Sequence, residues 1–324
     1  MEFRMKALGM GELASDIADG VAEHADLLRC EVHTLTNGAR VIDCGVHVPG
    51  GYDAGLALSE ICMGGLGNIA LGPVTIGNES WPGLTVWTDH PMVSCMASQY
   101  AGWAISPEGF FAMGSGPLRA HARVEKDLFG KLGYAETAEH GVLVLEGRQL
   151  PDEAVAEWVA GKAKLTPGQL TFLVAPTASL AGGVQIATRV VETAMHKIEQ
   201  LHFDLSKVVS AVGFAPLPPV AKNDIRAIGR TNDCILYGGS VHFTVRATDA
   251  ELEELAPRVP ASASRDYGTP FFDIFQRYNK DFYAIDPLLF SPAEVRLTST
   301  ESGRTFHAGQ LNQDVLRASC YPAA

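Results

Sequence analysis

The sequence predicts a mixed α/β fold in which short hairpins alternate with helices. One hairpin is expected around Asn37-Gly38, because the alternating runs EVHTLT and ARVIDCGV flank a dipeptide that strongly favours tight β-turns. A second is expected within VRLTSTESGRTFHAG, late in the chain. Apolar residues at helical spacing lie between these strands, which favours mixed α+β elements over a purely parallel, doubly wound sheet.

The first half of the chain opens with an amphipathic helix over residues 11–28, where Leu13, Ile17 and Val21 recur at near-helical spacing. After the hairpin, the residues 48–51, VPGG, fit a type II turn. The elements expected next are a helix in GLALSEICMGGLG, a strand in PGLTVWTDHP, a buried helix in MVSCMASQYAGWAI and a strand in GVLVLEG.

The second half begins with an exposed amphipathic helix, PDEAVAEWVAGKA, and its charge suggests a division of the chain nearby. We therefore expect two domains, residues 1–150 and residues 151–324. A core strand, TFLVAP, then leads into one buried helix within residues 175–197. The later elements are a strand in SVHFTVRA, a helix with a capping box at Thr248 and a helix in PFFDIFQRYN.

Composition limits the class of protein. With 47% hydrophobic and 19% charged residues, the chain can pack a core and is not disordered. Apolar runs fall short of the roughly 18 residues of a membrane span, and the N-terminus lacks a signal-peptide core, so we expect a soluble cytoplasmic protein. A net charge of −12 argues against nucleic acid as a partner. The scattered cysteines and histidines form no metal or disulfide motif.

The pair Arg189 and Glu192 is the first candidate for chemistry. With Thr193 and His196 it shares the polar face of the expected helix, opposite the apolar face. An exposed ion pair would explain the spacing. The small, apolar flank at residues 179–183 instead indicates close approach of another backbone. The residues alone leave both interpretations open.

Three other stretches contain polar candidates. MGSGPLRA places Ser115 and Gly116 either in an anion-binding nest or in a tight turn before a helix that begins with proline. Asp89 and His90 are adjacent on a strand and point to opposite faces, which favours a structural histidine. In IGRTNDCILYGG, Arg230 has two possible roles. It either recognises an anion or an amide, or it lies in a loop that is held by side-chain hydrogen bonds.

Taken together, several segments resemble methenyltetrahydromethanopterin cyclohydrolase: VIDCGVHVPGGYDAGLALSEICMGGLG, TDHPMVSCMASQYAGW, FFAMGSGPLRA, ATRVVETAMHK and IGRTNDCILYGG. The resemblance implies an enzyme, without metal or separate cofactor, of one-carbon metabolism in methane-forming archaea and methylotrophic bacteria. It interconverts a cyclic N5,N10-methenyl pterin cation and the 5-formyl pterin. It also implies a homotrimer whose subunits have two α/β parts with the substrate in a cleft between them.

The resemblance assigns the family's catalytic glutamate and its arginine partner to Glu192 and Arg189. Glu192 would take a proton from the attacking water, while Arg189 offsets the attraction of a bare carboxylate for the cationic ground state. Tyr100 stands where archaeal members carry a lysine, which fits a member that uses the dephospho pterin. The residues expected to contact the pterin or its tail are Tyr100, Ser115, Gly116 and Arg230.

Two other functions are weighed against the cyclohydrolase. A non-catalytic pterin-binding paralogue would be favoured by loss of the arginine–glutamate pair, which this chain retains. An unrelated hydrolase that uses Ser115 or a cysteine as nucleophile would need a recognisable base, and the histidines stand in no such context.

Overall fold

The computed structural model describes residues 9–281 and 284–321. In that part of the chain the strands are β1 Glu31–Thr34, β2 Arg40–Asp43, β3 Asn68–Ile76, β4 Glu79–Thr88, β5 Trp103–Ile105, β6 Ala112–Ser115, β7 Gly141–Glu146, β8 Leu170–Ala175, β9 Val208–Pro216, β10 Ser240–Val245, β11 Glu294–Ser299 and β12 Thr305–Gly309. They form two six-stranded sheets, which confirms the mixed α/β class.

The helices between the strands are α1 Met10–Glu23, α2 Ala25–Leu28, α3 Tyr52–Cys62, α4 Leu118–Ala122, α5 Lys126–Leu132, α6 Glu153–Ala163, α7 Leu180–Ala187, α8 Val190–Gln200, α9 Asp224–Leu236, α10 Asp249–Leu255, α11 Phe271–Arg277 and α12 Gln313–Cys320, with a π-helix over Met92–Gln99. Among the described residues, none of these helices is long and apolar enough to cross a membrane.

The chain divides into two compact units, each built from two separate segments. The first unit contains the chain up to Gly67 together with Val93–Gln185, and the second contains Asn68–Met92 together with the chain from Ile186 onward. This division differs from the expected domains 1–150 and 151–324. The reason is strand pairing, because β8 pairs with β2 and β7 in one sheet, whereas β4 pairs with β9 in the other.

The sheet of the first unit has the strand order β1-β2-β8-β7-β6-β5, with β2, β8 and β7 parallel and the outer pairs antiparallel. Its central strands β7 and β8 are buried almost throughout, as is usual for parallel strands covered on both faces. Phe172 of β8 faces a core that contains Val159 of α6. Its neighbour Leu173 faces the opposite core, which contains Leu58 of α3.

The sheet of the second unit has the order β12-β11-β10-β9-β4-β3, and only the pair β10–β11 is parallel. Burial alternates along β10 and β11, so one face of this sheet is packed and the other is more open. Helix α8 packs against β9 and β10. The polar residues that concern the candidate site therefore lie on a helix that is fixed to this sheet.

The structure confirms several expectations that rest on a few adjacent residues. Both expected hairpins form, β1–β2 and β11–β12. The capping box at Thr248 is present, with Glu251 as its partner. The buried segment after Pro91 is helical as expected, although it takes the π form. The six cysteines are all buried free thiols.

One local expectation is wrong, and one of two open interpretations is excluded. Residues 175–197 do not form one helix, because α7 ends at Ala187 and α8 begins at Val190. The chain passes from the first unit to the second within α7, and α8 then packs on the second sheet, so the helix does not continue straight through. The IGRTNDCILYGG segment is not a loop, since most of it lies in α9, which Asn223 caps by accepting from the Arg226 amide.

Candidate active site

The arginine–glutamate pair lies at the amino-terminal end of α8. Arg189 is the residue that caps the helix, and Glu192 lies in the first turn. Arg189 is 6% exposed and Glu192 is 5% exposed, so the interpretation as a solvent-exposed ion pair is wrong. The guanidinium Nη1 and the carboxylate Oε2 are 3.6 Å apart. The two charges form a buried ion pair, which matters more than a surface pair because water screens it less.

The backbone around Arg189 fixes this geometry. Its amide donates to the carbonyl of Ile186 (3.0 Å), and its carbonyl accepts from the amide of Thr193 (2.8 Å). Its ψ of 2° departs from the helical value, which produces the break between α7 and α8. Glu192 therefore lies in the first turn of a new helix, where the helix dipole favours a negative charge. An uninterrupted helix would not have offered that stabilisation.

Two further titratable side chains lie later on α8. His196 follows Glu192 by one helical turn, and burial lowers the pKa of its imidazole. Lys197 is 1% exposed and donates to the carbonyl of Leu288. Burial lowers the pKa of Lys197 to about 8, while the nearby charge of Asp286 acts in the opposite direction. The helix that carries Glu192 thus also carries a neutral imidazole and a buried cation.

Two other candidates, Ser115 and Gly116, lie in the first unit at the end of strand β6. Gly116, with a left-handed φ of 117°, donates its amide to the carbonyl of Ser98 at 2.9 Å. Ser115 is 1% exposed and ends strand β6 beside Val144. Because the Gly116 amide is used inside the protein, the contacts favour the tight turn over the anion-binding nest. A role for Ser115 and Gly116 in binding pterin stays a prediction.

Arg119 is the residue that connects these segments, and sequence reasoning did not assign it a role. It is completely buried, and its Nη1 donates to the carbonyls of Met96 (3.2 Å) and Ser98 (3.1 Å). Its guanidinium also donates to the carboxylate of Glu125 through Nε (2.8 Å) and Nη2. A buried charge is tolerated when it is paired in this way.

Tyr100 lies directly beside this buried cation. Its ring is half-buried, and the guanidinium carbon of Arg119 lies 5.2 Å from the ring centroid, within cation–π range. In the first unit, Gly116 and Arg119 therefore share the Ser98 carbonyl, and Tyr100 lies against the Arg119 guanidinium. Ser115 is the chain neighbour of Gly116. The sequence signal for this cluster was the arginine near the end of MGSGPLRA, but the two carbonyls to which it donates lie more than twenty residues away.

Arg230 lies in the second unit, on α9. Its Nη1 donates to the carbonyls of Pro219 (3.2 Å) and Val220 (3.5 Å), so it holds the preceding loop. Asp89 and His90 lie just after β4 ends at Thr88, so they are not on a strand as expected. The His90 side chain is exposed, and the backbone amide of His90 donates to the Thr88 hydroxyl. Among the described residues, no group of three or more His, Cys, Asp or Glu side chains is placed to hold a metal ion.

Comparison with known proteins gives the family. A sequence model described as "Cyclohydrolase (MCH)" matches residues 9–320, nearly the whole chain. The chain belongs to the methenyltetrahydromethanopterin cyclohydrolase (MCH) family. The resemblance inferred from the five segments is thereby confirmed.

Relatives in the MCH family match over almost their full length. The methenyltetrahydromethanopterin cyclohydrolase of Methylobacillus flagellatus is 46% identical over 96% of this chain and 94% of its own. That of Methanosarcina barkeri is 41% identical over 96% and 98%, and that of Methylobacterium organophilum is 44% identical over 95% and 96%. The MCH family therefore includes relatives with similar sequence identity to this chain from Methylobacillus and Methylobacterium and from Methanosarcina.

Proposed function

We propose that this chain is a cyclohydrolase that catalyses the reversible hydrolysis of the cyclic N5,N10-methenyl-tetrahydromethanopterin cation to 5-formyl-tetrahydromethanopterin. The family membership supports the reaction. The observation that supports the site is the buried pair of Arg189 and Glu192 at the start of α8. In this proposal Glu192 is the general base and Arg189 is its electrostatic partner.

The chemistry explains why the pair is suited to the task. The substrate carries a positive charge on its amidinium group, and that charge disappears as water adds to the carbon. A lone buried carboxylate would stabilise the charged ground state more than the transition state, which would not help the rate. Arg189, 3.6 Å from the carboxylate, offsets that excess attraction and favours the ionised form of Glu192.

The proton steps balance with Glu192 alone. As a water oxygen bonds to the methenyl carbon, the carboxylate takes one proton from it, leaving a neutral hydroxyl adduct. The protonated Glu192 then donates this proton to N10, and the bond between the carbon and N10 breaks. The adduct's hydroxyl loses its proton as the formyl carbonyl forms on N5, so hydrolysis releases one proton to the solvent.

A non-catalytic pterin-binding paralogue is the second candidate, and retention of the buried pair argues against it. We also propose that the working form is a cytoplasmic homotrimer and that the substrate is methenyl-tetrahydromethanopterin or its dephospho form. The support for the trimer and its location is the family resemblance. The support for the dephospho form is Tyr100, which lacks the lysine charge of archaeal members.

The experiment follows the loss of methenyl absorbance when purified protein is mixed with methenyl-tetrahydromethanopterin. We expect rapid loss with the wild type and a rate about 10²-fold lower for Glu192→Gln, the effect typical of a removed general base. Glu199→Gln is the matched control, because it makes the same change seven residues further along α8. This control should keep the wild-type rate.

Each possible outcome of this experiment tests one part of the proposal. Conversion by the wild type with an unaffected Glu192→Gln would refute the assignment of the base while leaving the reaction in place. Tight binding of the methenyl pterin without conversion would favour the paralogue. Equal losses in Glu192→Gln and Glu199→Gln would indicate a general loss of helix integrity rather than lost chemistry.

A further inference from the structure

Val190 directly follows Arg189 and is the first residue of α8, and its two methyl groups face two glycines. A Cβ atom added at Gly213 would lie 2.7 Å from Val190 Cγ1, and one added at Gly239 would lie 2.9 Å from Val190 Cγ2. Gly213 lies in β9, and Gly239 immediately precedes β10, the neighbouring strand. We call Gly213 and Gly239 the glycine socket of Val190.

Space, rather than backbone conformation, explains these glycines. Neither has the left-handed φ that glycine alone adopts readily. Carbon atoms pack at about 3.5–4.0 Å, so a methyl at either position could not coexist with Val190 where it now lies. Val190 is fully buried, and a valine in a helix is held in one χ1 rotamer, so it cannot turn its methyls away.

Val191 makes the fit tighter at one of the two positions. Its Cγ2 would also lie 2.7 Å from a Cβ at Gly213, and Val86 Cγ1 would lie 3.3 Å away. Val191 is as fully buried as Val190. Two consecutive residues of α8 therefore rest on Gly213, and both lie between Arg189 and Glu192 in the chain.

We infer that Gly213 and Gly239 are positioning residues for the Arg189–Glu192 pair. The inference rests on the proposed function, because it assigns the socket the task of setting where Glu192 lies. A Cβ at Gly213 would have to displace the first turn of α8 by about 1 Å to restore ordinary contact distances. A displacement of about 1 Å in a catalytic group can cost about 10²-fold in rate.

Gly213→Ala is the cleaner test of the two glycines. An added Cβ at Gly239 would also lie 2.6 Å from the carbonyl oxygen of Ile235, and that backbone clash could not be relieved elsewhere. At Gly213 all the close atoms belong to side chains, so truncating them can restore the space. The matched control is Gly72→Ala, because Gly72 lies in the same sheet, on β3, and an added Cβ there has nothing within 4 Å.

For Gly213→Ala we expect a folded protein whose kcat falls about 10- to 100-fold while KM changes less than about threefold. Gly72→Ala should match the wild type in both constants. A purely structural role would lower the folded fraction but leave kcat per folded molecule unchanged.

The inference is overturned if folded Gly213→Ala turns over like Gly72→Ala while Glu192→Gln is inactive. Should Glu192→Gln itself keep the wild-type rate, the proposed base fails, whatever Gly213→Ala does. If Gly213→Ala does not fold, Val190→Ala decides, since it empties the socket without adding atoms. A folded Val190→Ala should lose about tenfold in kcat because the turn is no longer held, and an unchanged kcat would refute the socket's role.

Discussion

Replacing Lys197 with methionine should stabilise the protein at neutral pH. The lysine is almost completely buried, and burial lowers its pKa from 10.5 to about 8. At 1.36 kcal/mol for each pH unit, a charged Lys197 costs the folded state about 3 kcal/mol below pH 8. Methionine removes this cost but leaves the Leu288 carbonyl without its donor, which costs about 1–2 kcal/mol. The net gain at about pH 7 should be about 1–2 kcal/mol.

The pH dependence of the free energy of unfolding provides a specific test of this prediction. Below pH 8 both the folded and the unfolded chain hold the lysine proton, so the cost is constant. Between pH 8 and 10.5 only the unfolded chain holds it, and the stability of the wild type therefore rises with pH. Near pH 10 the folded wild type carries a neutral amine that still donates to Leu288. There the methionine variant should be less stable than the wild type by up to about 1 kcal/mol, since the unfolded lysine is still largely protonated at this pH.

The assay is urea unfolding followed by circular dichroism, with wild type and Lys197→Met compared at about pH 7 and about pH 10. Lys222→Met is the control, because Lys222 is an exposed lysine in the same unit. The stability difference between wild type and Lys197→Met should change sign across this range, and that of the control should not. A difference of the same size and sign at both pH values would refute the reasoning.

Two further predictions concern buried charges. Burial raises the pKa of Asp233 to about 7, so the folded protein binds its proton more readily than the unfolded chain and loses stability as pH rises towards 7. Asp233→Asn keeps an oxygen that accepts from the Phe271 amide. In thermal melts, its stability relative to the wild type should improve by about 2 kcal/mol between pH 5 and 7. Stability profiles that run parallel over this pH range would contradict the prediction. Arg119→Lys cannot satisfy Met96, Ser98 and Glu125 together and should lower stability by about 2–4 kcal/mol in thermal melts, whereas an unchanged melting temperature would disprove the arginine's structural role.

The sequence predicted those parts of the fold whose signals are local. The Asn37-Gly38 turn and the capping box at Thr248 depend on a few adjacent residues, and both form as expected. Strand β8 was recognisable because its run of apolar residues is buried on both faces. The break at Arg189 was not predictable in this way, because no glycine or proline marks it and the packing of distant elements imposes it.

The same distinction applies to the candidate site. The spacing of Arg189 and Glu192 could be read from the sequence, but their burial could not, because the same spacing is typical of an exposed ion pair. The role of Arg119 could not be read at all, because the carbonyls that it binds lie in the π-helix Met92–Gln99. Such long-range hydrogen bonds leave no periodic pattern in the sequence.

The interleaving of the two units has a consequence for synthesis of the chain. Strand β4 is complete at Thr88, but its partner β9 begins only at Val208, about 120 residues later. At about 5–20 residues per second, a ribosome needs roughly 6–24 s to make the intervening chain. During that time one edge of the β3–β4 hairpin has no strand to pair with, and an unpaired edge is a template for association with other chains. The nascent protein is therefore exposed to aggregation, and served by a chaperone, in the interval between the synthesis of β4 and that of β9.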